Sequence, residues 1–398
     1  MAFLERIELY KQIEINRGNP LIVYVTSQRQ GALASMAGDV INELIDQVRA
    51  IEITPETSVD LLIESFGGDP LVSWRIISLL RSLFQKVNVI VPHSAFSAAT
   101  LLALGADEIV MGSYGSLGPI DPQITTKRKD GTTQEFGYED VVSFLSFVRE
   151  EGGITEQQYI KGAFEKLCEV VEPPVLGFAK RSSSLSISIG EKMLQMHMTD
   201  PEEKTQAHTI AMKLNKSFFS HGHALGRKEA EEIGLNVIAP NADLEKLIWD
   251  VHTDFELELQ TRTPFDPVAE YLKDPLAAPL LQSPPPFSIP PQIANNQQVL
   301  LQLLQNYINQ QSNVALPNIE VELKHAFVES QRVSSECYAK GRILIQRTLD
   351  MRLNSNVIFL DRGWHKVEIP TAVETSISET TTPPSVSAPA QEPVVASI

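Results

Sequence analysis

The stretch "VPHSAFSAATLLALGADEIVM", Val91–Met111, decides the fold. A strand-like run, Val87–Val91, stops at Pro92, whose fixed φ and missing N–H end a ladder. Small residues follow, with Ser97 among alanines, and then an apolar run that reads as a buried helix before a further strand, "DEIVMG". Working outward, the same rhythm repeats. "PLIVYVTS" (Pro20–Ser27) and "SVDLLIES" (Ser58–Ser65) are short apolar strands. "MAGDVINELIDQVRAI" (Met36–Ile51) and "DPLVSWRIISLLRSLFQ" (Asp69–Gln85) are amphipathic helices. Strands alternating with helices predict an α/β domain with largely parallel strands and right-handed crossovers. Strands covered on both faces are continuously apolar, and these nearly are.

Two loops at strand C-terminal ends carry candidate chemistry. In "IESFGGDPLVSW", Gly67 and Gly68 end a strand, Asp69 can cap the next helix and Pro70 suits its first turn. Paired glycines let the backbone approach a ligand and point amides outward, although a plain βα turn has the same appearance. In "HSAFSAAT", Ser97 sits near a helix N-terminus, where free N–H groups and a partial positive field suit a developing oxyanion. An ordinary serine N-cap, worth about 1 kcal/mol, reads the same way.

Composition bounds the rest. The chain has 398 residues, 43% of them hydrophobic, and a formal net charge of −17. That length allows about two domains. Such an acidic surface repels phosphate backbones and anionic lipid, which excludes nucleic acid as a partner. Cys168 and Cys337 sit in no CxxC or metal-ligand spacing, so a reducing compartment and no structural zinc are expected. Nothing resembles a signal peptide or a run of about 18 apolar residues, so the expectation is a cytoplasmic protein without a transmembrane anchor.

The chain divides on composition into four parts: a globular first domain over 1–257, a Pro-rich linker over 258–295, a small helical or α+β segment over 296–370 and a disordered tail over 371–398. Nine prolines fall between Pro264 and Pro291. Beyond them, "NNQQVLLQLLQNYINQQ" and "EVELKHAFVESQRVSSECYAKGRILIQRTLDMRL" read as helices and "NVIFLDRGWHKVEI" as a strand. The first domain is expected to fold alone, with a protease-sensitive linker behind it.

Taken together, "SFGGDPLVSWRIISLLR" and "VPHSAFSAATLLALGADEIVMGSYGSLGPIDPQ" resemble the Clp/crotonase superfamily, in particular the serine dehydrogenase proteinase (SDH) family, which is similar to signal peptide peptidase A. The resemblance runs from about Asn19 to Val237 and includes "HGHALGRKEAEEIGLNV". It implies a Clp/crotonase-like α/β fold with flanking helices, followed here by the C-terminal helical segment. It implies Ser97 as nucleophile, with Gly67, Gly68, Asp69 and Ala98 around the oxyanion and substrate. It also implies a homo-oligomer acting on peptide or unfolded protein, with no cofactor. One departure is Ala99, where relatives carry glycine.

The general base is the open question. Relatives of the signal peptide peptidase type pair the serine with a downstream lysine, for which Lys161 and Lys180 are candidates, though both read as surface charge. In Clp peptidases a histidine follows the nucleophile by roughly two dozen residues. The matching position here is Asp121, while the stretch matching the triad aspartate offers His221 and His223. A triad is defined by geometry rather than chain order, so an exchanged arrangement is chemically sound, with His221 preferred as base and Asp121 orienting it. His93, four residues before Ser97, is a candidate supporting group. The HxH at His221 and His223 lacks a telling partner for a metal.

Three functions follow: a serine hydrolase, most simply a peptidase working through an acyl-enzyme at Ser97; a catalytically inactive oligomeric scaffold of the same fold; and an acyl-CoA enzyme of the crotonase type, which Ser97 counts against.

Overall fold

Parallel strands buried on both faces organise the molecule. The computed structural model describes residues 3–128, 131–218, 220–276, 287–289, 291–293, 296–312, 318–347 and 353–367. The chain opens with α1 (Phe3–Arg17), β1 (Leu21–Thr26), α2 (Val40–Arg49), β2 (Val59–Glu64), α3 (Pro70–Arg81) and β3 (Val87–Val91). The short β4 (Ser94–Ala95), α4 (Ala98–Leu104), β5 (Glu108–Met111) and β6 (Ser116–Leu117) follow. A hairpin, β7 (Gln123–Lys127) and β8 (Thr133–Gly137), leads into α5 (Tyr138–Ser146), α6 (Gln157–Val170), α7 (Pro173–Leu194) and α8 (Pro201–Lys216). Then come α9 (Arg227–Glu232), β9 (Val237–Ile238), α10 (Ala242–Glu258), α11 (Pro267–Leu272) and α12 (Gln297–Ser312). Three long strands close the described chain: β10 (Ile319–Glu329), β11 (Ser334–Arg347) and β12 (Leu353–Val367).

The main sheet has the order β12-β11-β10-β1-β2-β3-β5-β9. Its β1-β2-β3-β5-β9 half is parallel, as the alternation of strands and helices predicts. Alternate strand residues feed different cores. Ile22, Tyr24, Leu61, Ile63, Val89 and Val91 pack with α2, α3, α4, α7 and α8. Leu21, Val23, Val25, Leu62 and Ile90 pack with α1 and α10 on the other face. Both faces being covered explains why these strands carry apolar residues at successive positions.

The C-terminal part departs from the sequence reading. The helix read over "EVELKHAFVES…" is two strands, β10 and β11, and β10 pairs antiparallel with β1, Val25 opposite Phe327. Glu, Lys, Leu and Ala favour helix locally, but the β1 edge offers a full ladder that buries Phe327 and Val328, and tertiary pairing overrides propensity. Residues up to Val367 therefore form one compact unit, which does not end at 257. The linker reading is also corrected at its start. Asp266 caps α11 from its side chain, and Tyr271 is buried against Ile343 and Ile345. Just before it, Phe265 N–H donates to Gln30 O at 2.8 Å. The middle of the proline-rich segment, 277–286, and the tail over 371–398 lie outside the described residues. The helix read over "NNQQVLLQLLQNYINQQ" is α12, and the strand read over "NVIFLDRGWHKVEI" is β12.

Candidate active site

Two loops, one after β2 and one after β3, meet at a single point. Ser65 N–H donates to Ser94 O at 3.0 Å, and Phe96 N–H donates to Ser65 O at 2.9 Å. Gly67 lies against the serine loop so closely that a Cβ there would sit 2.6 Å from Phe96 O and 2.8 Å from Ala98 N. Only glycine fits, and its φ of +99° is one that other residues rarely adopt.

Ser97 itself has φ 53° and ψ −115° and precedes the first turn of α4. A non-glycine residue with positive φ is strained, and the surroundings hold it there. Ser73 Oγ donates to Ala98 O at 2.6 Å. Thr100 Oγ1 donates to Ala95 O at 2.7 Å and accepts from Gly118 N–H at 3.0 Å. Ser97 does not cap the helix through its side chain. The plain N-cap reading therefore fails, and among the described residues its hydroxyl makes no hydrogen bond.

The amides of the residues expected around the oxyanion and substrate separate into two kinds. Gly67 N–H donates to Ser65 Oγ at 3.0 Å, and Asp69 N–H to Met36 O at 3.0 Å. Both donors are engaged, and the Asp69 carboxylate caps α3 by accepting from Leu71 N–H at 2.8 Å. In this structure neither Gly67 nor Asp69 has its amide free. Gly68 pairs with Met36 as an isolated parallel bridge. In such a bridge its neighbours make the hydrogen bonds, so its own N–H faces away from Met36. Ala98, at the first position of α4, has no intrahelical acceptor for its N–H. Gly68 and Ala98 keep amides without a partner among the described residues.

Asp121 follows Ile120, whose carbonyl accepts from Ser186 Oγ of α7. Its carboxylate accepts from Gln123 Nε2 at 2.7 Å on one oxygen and meets His221 Nδ1 at 2.9 Å on the other. That hydrogen bond, working against burial, raises the His221 pKa above its ordinary 6.5. With Nδ1 committed to the carboxylate, Nε2 is the nitrogen left to act. A pocket of about 350 Å³ is lined by Ser97, Gly68, Ala98 and His221 together, with Gln123 and Glu135 of the hairpin on its wall. His223 is directed elsewhere, with Nε2 3.0 Å from Glu229 and its ring stacked on Phe218 at 4.7 Å.

The lysine candidates are not in this pocket. Lys161 is exposed on α6 and pairs with Glu165 at 3.5 Å, and Lys180 is exposed on α7. Among the described residues no group of three or more His, Cys, Asp or Glu side chains is placed to hold a metal. A larger cleft, about 430 Å³, opens at the far end of α4 around Leu104, Asp107 and His197, and holds none of the residues above.

The sequence reading missed what underlies the two loops. Glu64, the last residue of β2, meets His252 Nδ1 of α10 at 2.8 Å, and the His93 ring stacks on that of His252 at 4.6 Å. Burial lowers the His252 pKa, but the hydrogen bond and charge of Glu64 outweigh it and the net shift is upward. Burial, then the neighbouring His252, lower that of His93. A buried Glu immediately before "SFGG" was the available signal.

Residues 2–131 match the family model described as ClpP-like SDH-type serine proteinase, which agrees with the SDH resemblance read from the motifs within that stretch. Curated relatives are two uncharacterized proteins of Methanocaldococcus jannaschii. MJ1495 is 28% identical over 62% of this chain and 75% of its own. MJ0137 is 24% identical over 59% and 73%. Similar solved structures include the membrane-bound stomatin-specific protease 1510-N, at 16% identity and TM-score 0.33 over 57% of this chain and 84% of that one. ClpP1 from Listeria monocytogenes has 14% identity and TM-score 0.31 over 59% and 97%.

Proposed function

We propose that this chain is a serine peptidase with Ser97 as nucleophile, His221 as general base and Asp121 orienting the imidazole. The observation that carries this reading is that a strained serine and a carboxylate-bound histidine line one pocket. His221 Nε2 takes the hydroxyl proton as Ser97 Oγ bonds to the scissile carbonyl carbon, and the carbonyl oxygen becomes an oxyanion. The Gly68 and Ala98 amides donate to it. The C–N bond then breaks, and His221 returns its proton to the leaving amine. Water repeats the sequence on the acyl-enzyme, freeing the acid and restoring Ser97. No cofactor takes part.

A non-catalytic scaffold of the same fold is the second reading. It is favoured by the lack of a hydrogen bond between Ser97 Oγ and His221 among the described residues, although such bonds often tighten only with substrate. A fluorophosphonate probe separates the two. Adduct formation on the wild type, absent in Ser97→Ala, supports the peptidase; no adduct on correctly folded protein leaves the scaffold.

The substrates of this reading are peptides or unfolded protein in the cytoplasm. No helix among the described residues is long and apolar enough to cross a membrane. The reading also includes a homo-oligomer. Phe147, Tyr159, Phe164 and Phe178 are exposed on the α5–α7 region, and this reading takes them as surface that a second copy covers. Light scattering at micromolar concentration is expected to give a multiple of 44.1 kDa. A monomer mass contradicts that part.

A further inference from the structure

The hairpin β7–β8 stands apart from the main sheet and forms one wall of the Ser97 pocket. Its register sets Thr125 opposite Glu135 and Gln123 opposite Gly137, so these four residues share one face. Two of them, Gln123 and Glu135, reach the pocket. Gln123 is committed, because its amide donates to Asp121. Glu135 is not: among the described residues its carboxylate makes neither a hydrogen bond nor an ion pair. It is exposed on its strand, which puts the charge at the mouth of the pocket rather than its floor.

The rest of the lining completes the argument. Leu101, Ile120, Pro70 and Pro122 supply an aliphatic sleeve, and no lysine or arginine lines the pocket. An aliphatic sleeve with one unpaired carboxylate at its mouth matches a side chain with an apolar stem and a cationic end. An acidic side chain would meet Glu135, and the cationic form of His221 that could offset it already interacts with Glu135 and Asp121.

We infer that Glu135 is a specificity-determining residue that selects a lysine or arginine side chain at the substrate residue whose carbonyl Ser97 attacks. This rests on the peptidase reading above. An arginine gains further from a planar guanidinium that can bind a carboxylate through two hydrogen bonds.

The test uses peptidyl diphenyl phosphonates, which react with an activated serine and differ here only in one side chain: lysine, norleucine or glutamate. Norleucine keeps the stem and removes the ammonium. Intact-mass spectrometry gives the rate of adduct formation at Ser97. The wild type is expected to favour lysine over norleucine by about fivefold, the upper end for a partly exposed ion pair. The preference should shrink as salt is raised. In Glu135→Gln the ratio is expected to fall to about one, and in Glu135→Lys the glutamate probe is expected to overtake the lysine probe. Melting temperatures check that both variants fold. A wild-type ratio near one, or a ratio unchanged in Glu135→Gln, overturns the assignment.

Failure of the peptidase reading looks different: none of the three probes reacts with Ser97. The charge selection is then read from binding alone, by fluorescence polarisation of fluorescein-labelled peptides carrying the same side chains on the full chain with Ser97→Ala. Tighter binding of the lysine peptide that Glu135→Gln abolishes still supports a cation-selecting pocket, and equal binding of all three rejects it.

Discussion

A serine held at φ 53° costs about 1–3 kcal/mol, and the fold sustains it through hydrogen bonds from Ser73 and Thr100 to the backbone on either side. The same logic governs Gly68, where a Cβ would sit 2.4 Å from Met36 O at a φ of +152°. Gly68→Ala must push the loop away from Met36 and turn its amide. The expected outcome is a loss of about 100-fold in probe reaction at Ser97, the scale for removing one oxyanion donor, with a lowered melting temperature. An unchanged rate would mean that the Gly68 amide does not serve the site. Ser97 and the glycine pair were legible in the sequence because each follows a strand end, whereas Asp121 and His221 were candidates only through the resemblance to Clp peptidases, with His223 and two lysines beside them. Which amides stay unengaged was not legible. That depends on Met36, some thirty residues upstream, whose carbonyl takes the Asp69 amide and whose N–H takes the Gly67 carbonyl. Glu135 was not legible either, since nothing in "TQEFG" marks a strand that reaches the serine.

At the level of elements, β2 and β3 end on a shared foundation, with Glu64 held by His252 of α10 and His93 stacked on that histidine. Because the His252 pKa is raised, the pair's contribution is full below pH 6.5 and is lost as pH rises through the raised value. Comparing wild type with His252→Gln by thermal denaturation across pH isolates it. The stability difference is expected to be largest on the acid side of that window and to shrink on the alkaline side; a difference that grows with pH contradicts the pair as described. His93, with its lowered pKa, acts in the opposite sense and is common to both proteins. The central βα units were legible because burial on both faces leaves apolar runs. The strands β10 and β11 were misread because Glu, Lys, Leu and Ala favour helix locally; the alternation of Ile319, Val321 and Leu323 with Glu320, Glu322 and Lys324 was the strand signal that the reading passed over. Their strand character comes from the β1 edge they occupy. A chain ending at Glu258 would leave that edge unpaired, and it is expected to be insoluble or to lack cooperative melting. A soluble, cooperatively melting product would mean that β10 is dispensable.

Across the whole molecule, Arg6 ties the ends of the described chain together. Buried beneath α1, it donates to Asp254 of α10 at 2.6 Å and to Glu329 of β10 at 2.9 Å, and also reaches Glu258. Arg6→Ala removes the cation from buried Glu329, while Glu258 keeps Lys324 at 2.6 Å, and a loss of about 3–5 kcal/mol in urea denaturation is expected. A loss below about 1 kcal/mol would mean that the network is incidental. The central claim is that Ser97 and His221, from separate segments, work together in the pocket they both line, with Asp121 holding His221 through Nδ1. It is tested most directly by the rate of fluorophosphonate reaction at Ser97 against pH, for the wild type and for a folded His221→Ala. Since the base must be neutral and its pKa is raised, the wild-type rate should climb through a single limb above pH 6.5, and the variant should lose the limb and most of the rate. A His221→Ala protein that reacts at the wild-type rate with the same pH profile would contradict the account.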